Sequence, residues 1–369
     1  MTKLLELPPE LSQRRQFRGV FSDFTDTPPR QTHNYTAAGL TTGADLATTT
    51  IFVPNRTIVL DELIITPNVN ATLIDDTNTS TWTFTDGTNT IFTKAYNTNL
   101  AFPVANTVTS LGTLGAATLA YTEINPATAA QNRITLAITN VVAATPITQI
   151  TVAYFDAQAY PSDGVRIIAT DDGTAKMTDT SSGALAGLLV MSPGSADNDE
   201  LYLCSRLELF KIAANKPIVA ECRIKYAEAN TDDANIMFGL MDAVGANSIL
   251  DDGGGPKASY SGAIMYKMDG GTTYYGEASV STTQTPTTQT ALSPAVTAGG
   301  GVWQTLRLTI TTVSSTEAVA LFEVDGKEGA NIHFTYTSAT DMQLILAVKN
   351  GGANAETVYV DYFGAWQLR

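Results

Sequence analysis

Histidine and cysteine are nearly missing from this chain. Its 369 residues hold two of each: His33, His333, Cys204 and Cys222. So few imidazoles and thiols, none at metal-ligand spacing, give no zinc or iron site. A Ser-His-Asp triad would have to use His333, inside Asn331-Ile-His-Phe-Thr-Tyr336, which reads as a half-exposed strand. The two cysteines fall in different predicted strands and read as buried thiols rather than a disulfide. Charge is scarce too, at 15% of residues, where about a quarter is usual. Lys and Arg number 21 against 36 acidic groups, a net −15. Nucleic acid is therefore not expected as a partner, because phosphate binding needs clustered cations. No stretch approaches the ~18 apolar residues of a membrane span, so no membrane partner is expected either. The first ten residues carry charge and proline where a signal peptide needs an apolar core, which points to synthesis in a cytosol.

What the chain does have is alternation. Trp303 to Ile310 puts Trp, Thr, Arg and Thr on one face and Gln, Leu, Leu and Ile on the other. Ala318 to Val324 repeats the device, and Asp325-Gly326 turns the chain into the next segment. A period of two places successive side chains on opposite faces of a sheet, and Asp-Gly between such runs signals a hairpin. Asp86-Gly87 plays the same part between Trp82 to Thr85 and Ile91 to Thr93. With 44% apolar residues the strands have enough material for packed cores. The fold expected is all-β, in three parts. Residues 1–35 form an extended arm, with one short helix from Glu10 to about Arg18. Residues 36–160 form a β-sandwich or jelly roll of seven or eight strands. Residues 161–369 form a larger jelly-roll sandwich, and Tyr160 to Gly164 is the boundary between the two bodies.

The larger sandwich resembles a known superfamily. Ala220 to Lys225, Ile236 to Asp242, Trp303 to Ile310, Phe322-Glu-Val-Asp-Gly326 and Val360-Asp-Tyr-Phe363 look like the strand series of the concanavalin A-like lectin/glucanase sandwich. The likeness covers about residues 195–369 and implies a fold rather than an activity. Retaining glucanases of that superfamily carry Glu-X-Asp-X-X-Glu on one strand, with two carboxylates ~5 Å apart. The string does not occur here, so the chain is not expected to be an enzyme. The whole chain also resembles, in style, structural proteins of tailed-bacteriophage heads.

Candidate binding residues follow from these readings. Arg14, Arg15 and Arg18, beside Phe17, Phe21 and Phe24, read as anchors of a docking arm, since aromatics in a segment without its own core need a pocket. Residues 1–35 carry five basic and four acidic groups, a near-neutral arm before a strongly acidic body. Tyr260, Tyr266, Tyr274 and Tyr275 cluster near a Gly-rich loop and could form a glycan platform, although cross-strand packing explains them equally well. Asp232, Asp233, Asp251 and Asp252 offer hard oxygen ligands, making calcium the one metal to consider; exposed aspartates capping turns are the plainer reading. No other cofactor is expected. The function expected is decoration or cementing of a capsid exterior, with the major capsid protein as partner, through the arm and a first sandwich that self-associates as a homotrimer. Such a protein would be made in the host cytoplasm and end on the virion. The alternative is a lectin-like, carbohydrate-binding adhesin or fibre module.

Overall fold

The computed structural model describes residues 17–22, 30–71, 74–75, 77–97, 100–113, 122–157, 164–170, 174–177, 187–228, 232–251, 253–292, 298–336 and 340–368. Among these residues the regular elements are all strands, and no helix occurs. Contacts divide the chain into two compact units. One is Thr27–Tyr160; the other is Met1–Asp26 together with Pro161–Arg369. We call them the first and second sandwich and number strands in chain order. Residues 160–163 of the boundary tract lie outside the described residues.

The first sandwich has two antiparallel sheets. One runs β2 (Gln31–Ala37), β10 (Thr148–Asp156), β4 (Ile58–Pro67) and β7 (Thr109–Thr113), with β8 (Glu123–Ile124) also on β4. The other runs β3 (Leu46–Phe52), β9 (Ile134–Asn140), β5 (Ser80–Thr85) and β6 (Thr90–Tyr96). Alternation decides which face is buried. In β5, Ser80, Trp82 and Phe84 are buried while Thr81, Thr83 and Thr85 are half-exposed. Trp82 packs with Phe84, Ile58, Leu60, Leu136 and Ile150 in one core; burying a side chain of its size is worth about 4–6 kcal/mol. Gly87 turns the β5–β6 hairpin with φ +100°, and the Asp86 carboxylate accepts from the Thr88 and Asn89 N–H groups at 2.8 and 2.7 Å.

The second sandwich is larger. Its eight-stranded sheet runs β12 (Thr174–Met177), β13 (Leu189–Ser192), β26 (Thr357–Leu368), β15 (Ile218–Ala227), β22 (Gln304–Thr312), β23 (Glu317–Val324) and β24 (Lys327–Thr335). The eighth strand, β1 (Phe17–Ser22), pairs with β26 from Phe17↔Leu368 to Ser22↔Phe363. The seven-stranded sheet runs β11 (Val165–Thr170), β14 (Glu200–Ser205), β25 (Gln343–Asn350), β16 (Ala234–Met241), β19 (Gly262–Lys267), β20 (Tyr274–Val280) and β21 (Thr283–Thr285). A small hairpin, β17 (Ile249–Leu250) with β18 (Gly255–Pro256), stands apart. Asp325 and Gly326 join β23 to β24 with φ of +52° and +73°, the left-handed pair that matches strand twist.

Two sequence expectations change here. Phe17–Ser22 does not run as a separate arm, because the backbone groups of β26 bond it into the chain's own sheet. The same pairing makes residues 17 and 18 strand, where the end of a helix was expected; residues 10–16 lie outside the described residues. Gln31–Tyr35, also read as arm, belong to β2, whose polar sequence hides an inward Gln31, His33 and Tyr35 at a sheet edge.

The seven-stranded sheet is covered on both faces. Every residue of β14, β16, β19 and β25 is buried. One face meets the eight-stranded sheet, as the Tyr274 hydroxyl does in donating to Gln304 Oε1 at 3.1 Å. The other face carries Tyr202, Met237, Ile264, Tyr266 and Ile345, and the 242–261 segment lies over it, adding Ile249 and Tyr260 to the same cluster. Gly262 lets β16 and β19 approach: a Cβ there would stand 1.9 Å from the Leu240 carbonyl oxygen.

Candidate functional site

The end of this roofed face, where loops meet β16 and β19, gathers a buried lysine and several carboxylates. Lys267, the last residue of β19, is fully buried. Its ammonium donates to the carbonyls of Asp232 and Ala234 at 2.9 and 2.7 Å and pairs with Glu228 at 2.9 Å. Asp232 sits at φ +64°, and its carbonyl also accepts from Gly270 N–H at 3.0 Å. This clamp fixes the loop that carries Asp233. Asn235, on β16, accepts from the Asp269 N–H at 2.8 Å. Gly351 closes the other side, because a Cβ there would meet the Asp233 carbonyl oxygen and Asp269 Cγ, each at 2.5 Å.

Three half-exposed carboxylates share this rim: Asp233, Asp251 and Asp269. Burial raises the Asp269 pKa, and the charges of Asp233 and Asp251 push it further the same way, against the Gly270 N–H and Lys267. Asp251 Oδ1 and Asn235 Nδ2 have no hydrogen-bond partner. The rim thus carries three anionic acceptors, with a buried amide donor, Asn235 Nδ2, unpartnered behind them. No group of three or more His, Cys, Asp or Glu side chains among the described residues converges closely enough to hold a metal ion. Asp233 and Asp251 do reach one rim, Asp232 acts there through its backbone, and Asp252 lies outside the described residues. A calcium ion needs six to eight oxygens, and these residues do not provide a ready cage.

The four tyrosines separate. Tyr274 points between the sheets and belongs to the sandwich core, so a ligand cannot stack on it. Tyr260, Tyr266 and Tyr275 lie on the roofed face, but Tyr260 and Tyr266 are buried. Tyr266 stacks on Tyr275 at 5.5 Å between centroids, and a Cβ on Gly255 of the roof would meet the Tyr266 ring at 2.9 Å. Tyr275 alone is half-exposed. The open four-ring platform is therefore corrected to one accessible ring, because period-two strand geometry sends Tyr274 and Tyr275 to opposite faces.

Glu277 went unnoticed in the sequence. It is 7% exposed, accepts from the Tyr260 hydroxyl at 2.9 Å, and burial lifts its carboxyl to about 7. A raised carboxyl can act as a general acid, yet glycoside hydrolysis needs a second carboxylate across the bond. Alternation alone could have placed Glu277 beside Tyr275, but not under the roof.

Of the arm residues, Arg14, Arg15 and Phe24 lie outside the described residues, while Phe17, Arg18 and Phe21 are positions of β1. His33 stacks on Phe52 at 4.5 Å in the first sandwich and bonds the Ile51 carbonyl through Nε2 at 3.1 Å. It helps line a shallow cleft of about 490 Å³ with Tyr154 and Asn55. His333 is exposed on the edge strand β24 and meets Glu317 at 2.9 Å. Both cysteines are buried and free, and burial raises both thiol pKa values.

No family model matches the sequence, and no curated protein matches it. Solved structures similar to the chain include the carbohydrate recognition domain of Emp46p in metal-free form, at 13% identity and TM-score 0.39, covering 56% of this chain and 90% of that one. The endo-β-1,4-glucuronan lyase of the fungus Trichoderma reesei matches at 11% identity and TM-score 0.38, over 54% and 89%. A carbohydrate esterase of the Shiga toxin-encoding bacteriophage phi24B matches at 18% identity and TM-score 0.36, over 56% and 91%. At such identities and scores no activity is carried from these proteins to this one; the sandwich stands on its own sheet order.

Proposed function

We propose that the chain is a carbohydrate-binding protein without catalysis, receiving a sugar at the rim formed by Asp233, Asp251 and Asp269. The observation behind this reading is the crowding of half-exposed Asp269 by the half-exposed carboxylates of Asp233 and Asp251. Crowded acceptors are relieved by donors. A cation would serve, but the described carboxylates do not converge on one point. A polyol serves better, since its hydroxyls donate to several separated acceptors at once, and half-exposed Tyr275 offers a ring on the same sheet face. A shell-decorating role drew on an arm that needs another chain for order. Phe17–Ser22 finds its partners on β26, so that premise no longer favours the reading.

The test is a glycan array followed by calorimetry on the full chain. Binding in the micromolar range or weaker is expected. Asp251→Asn and Asp269→Asn should each weaken it about ten- to a hundredfold, the worth of one hydrogen bond to a charged group. Reducing ends should not accumulate when polysaccharide is incubated with the chain. An array without ligands, or variants that bind like wild type, would overturn the proposal.

A further inference from the structure

Among the described residues two lysines are buried, both in the second sandwich, and they differ in what lies within reach. Lys267 donates to backbone carbonyls and pairs with Glu228. Lys349, in β25, meets side chains that can react with it. It is 1% exposed and stands opposite Glu200 of β14, itself 3% exposed. The Lys349 ammonium lies 3.4 Å from Glu200 Oε2 and donates to Asn247 Oδ1 at 2.8 Å. A carbonyl bond of about 1.23 Å then puts this nitrogen within about 4 Å of the Asn247 amide carbon.

The arrangement is held from several sides. Asn247 belongs to the 242–261 segment that roofs the sheet, and its φ is +57°. Its own N–H donates to Glu200 Oε1 at 2.8 Å. The Tyr202 hydroxyl donates to Glu200 Oε2 at 2.5 Å and accepts from the Ser248 N–H at 3.2 Å. An amine from β25, an amide from the roof and a carboxylate from β14 therefore meet at one point. In solution lysine and asparagine are inert toward each other. Fixing nucleophile, acyl carbon and proton carrier in contact removes most of the entropy cost of bringing them together.

We propose that this triad joins Lys349 Nζ to Asn247 Cγ in an amide bond, with release of ammonia. Glu200 first takes a proton from the ammonium, which turns a buried ion pair into two neutral groups and spares the interior both charges. The freed electron pair of Nζ attacks Cγ, forming the N–C bond and moving the carbonyl pair onto Oδ1. Glu200 then protonates Nδ2. The Cγ–Nδ2 bond breaks as the carbonyl reforms, and the departing ammonia takes the surplus proton from Nζ and leaves as ammonium. Glu200 ends ionised, as it began, and nothing is oxidised or reduced. The bond staples the roof to β25, closing a span of 102 residues. It forms once per chain and needs no bound sugar, so this inference and the proposed function can fail separately.

Intact-mass spectrometry of the purified full chain, incubated at neutral pH, tests this. Wild type should weigh one ammonia less than the linear chain. Trypsin should fail to cut after Lys349 and should yield residues 226–257 joined to residues 328–369. Lys349→Met, Glu200→Gln and Asn247→Gly should each carry the full mass. Asn247→Gly changes an exposed position and suits its left-handed backbone, so the fold survives it. A wild type of full mass would overturn the inference. So would an ammonia loss that persists in Asn247→Gly or Lys349→Met, because it would then belong to an asparagine cyclising on its own backbone.

Discussion

The two sandwiches treat the faces of their sheets differently. In the first, strands such as β5 and β10 set one face in a core and leave the other half-exposed. In the second, the seven-stranded sheet is covered twice, by its partner sheet and by the 242–261 segment. A second cover carries polar groups inside. Glu200, Asn235, Lys267, Glu277 and Lys349 are all buried on or around this sheet, whereas Asp86, in a turn, is the charged residue buried in the first sandwich among those described. Buried polar groups must find partners, as Lys267 does in two carbonyls and Glu228, and Glu277 in the Tyr260 hydroxyl.

Lys267 offers the sharpest way to break the contrast. Lys267→Ala removes the donor to two carbonyls and the partner of Glu228, and should cost about 3–5 kcal/mol in chemical denaturation. Thr151→Ala, on the polar face of β10, should stay within about 0.5 kcal/mol. Equal effects would erase the distinction. Gly262→Ala comes next. Its φ of +153° and the Leu240 carbonyl 1.9 Å from the added carbon predict a loss of about 3 kcal/mol, where backbone strain and overpacking combine.

Acid–base behaviour sharpens the comparison further. The folded state holds the Glu277 carboxyl at about 7, above its usual 4.5, so folding favours its protonated form. The stabilisation linked to that proton is complete below pH 4.5 and is lost as pH rises through about 7. Subtracting the stability of Glu277→Gln from that of wild type should give a curve that falls across this window and is flat above it. A difference that rises with pH would show the carboxyl to be stabilised as an anion. The smallest effect belongs to the outer face of the eight-stranded sheet. Lys225 lies 4.9 Å above the Tyr359 ring and 5.6 Å above Trp303, and Lys225→Ala should cost about 0.5–1 kcal/mol.

What could be read beforehand follows the same division. Trp82 to Thr85 lies within β5 and Ala318 to Val324 within β23, as their alternation indicates, and Asp86-Gly87 and Asp325-Gly326 turn hairpins where turn chemistry placed them. Runs such as Ile236 to Met241 and Leu344 to Val348 show no period because both faces are buried, so their strands were legible but the roof was not. The strand β2 escaped notice because Gln31, His33 and Tyr35 alternate with residues just as polar. At the rim, Asp233 and Asp251 were picked out for charge alone. Asp269 joins them through chain distances that no local pattern encodes, and Tyr274 was misjudged because neighbours in sequence leave a strand on opposite sides.

The pairing of β1 with β26 makes the first sandwich, in sequence, a guest inserted between two parts of its host. Thr27–Tyr160 interrupts a domain whose opening strand must wait, during synthesis, for nearly everything downstream to emerge. The guest, made of contacts within its own span, can mature while the host is still unfinished. A chain cut short before Thr357 would leave Phe17–Ser22 as a strand with no berth.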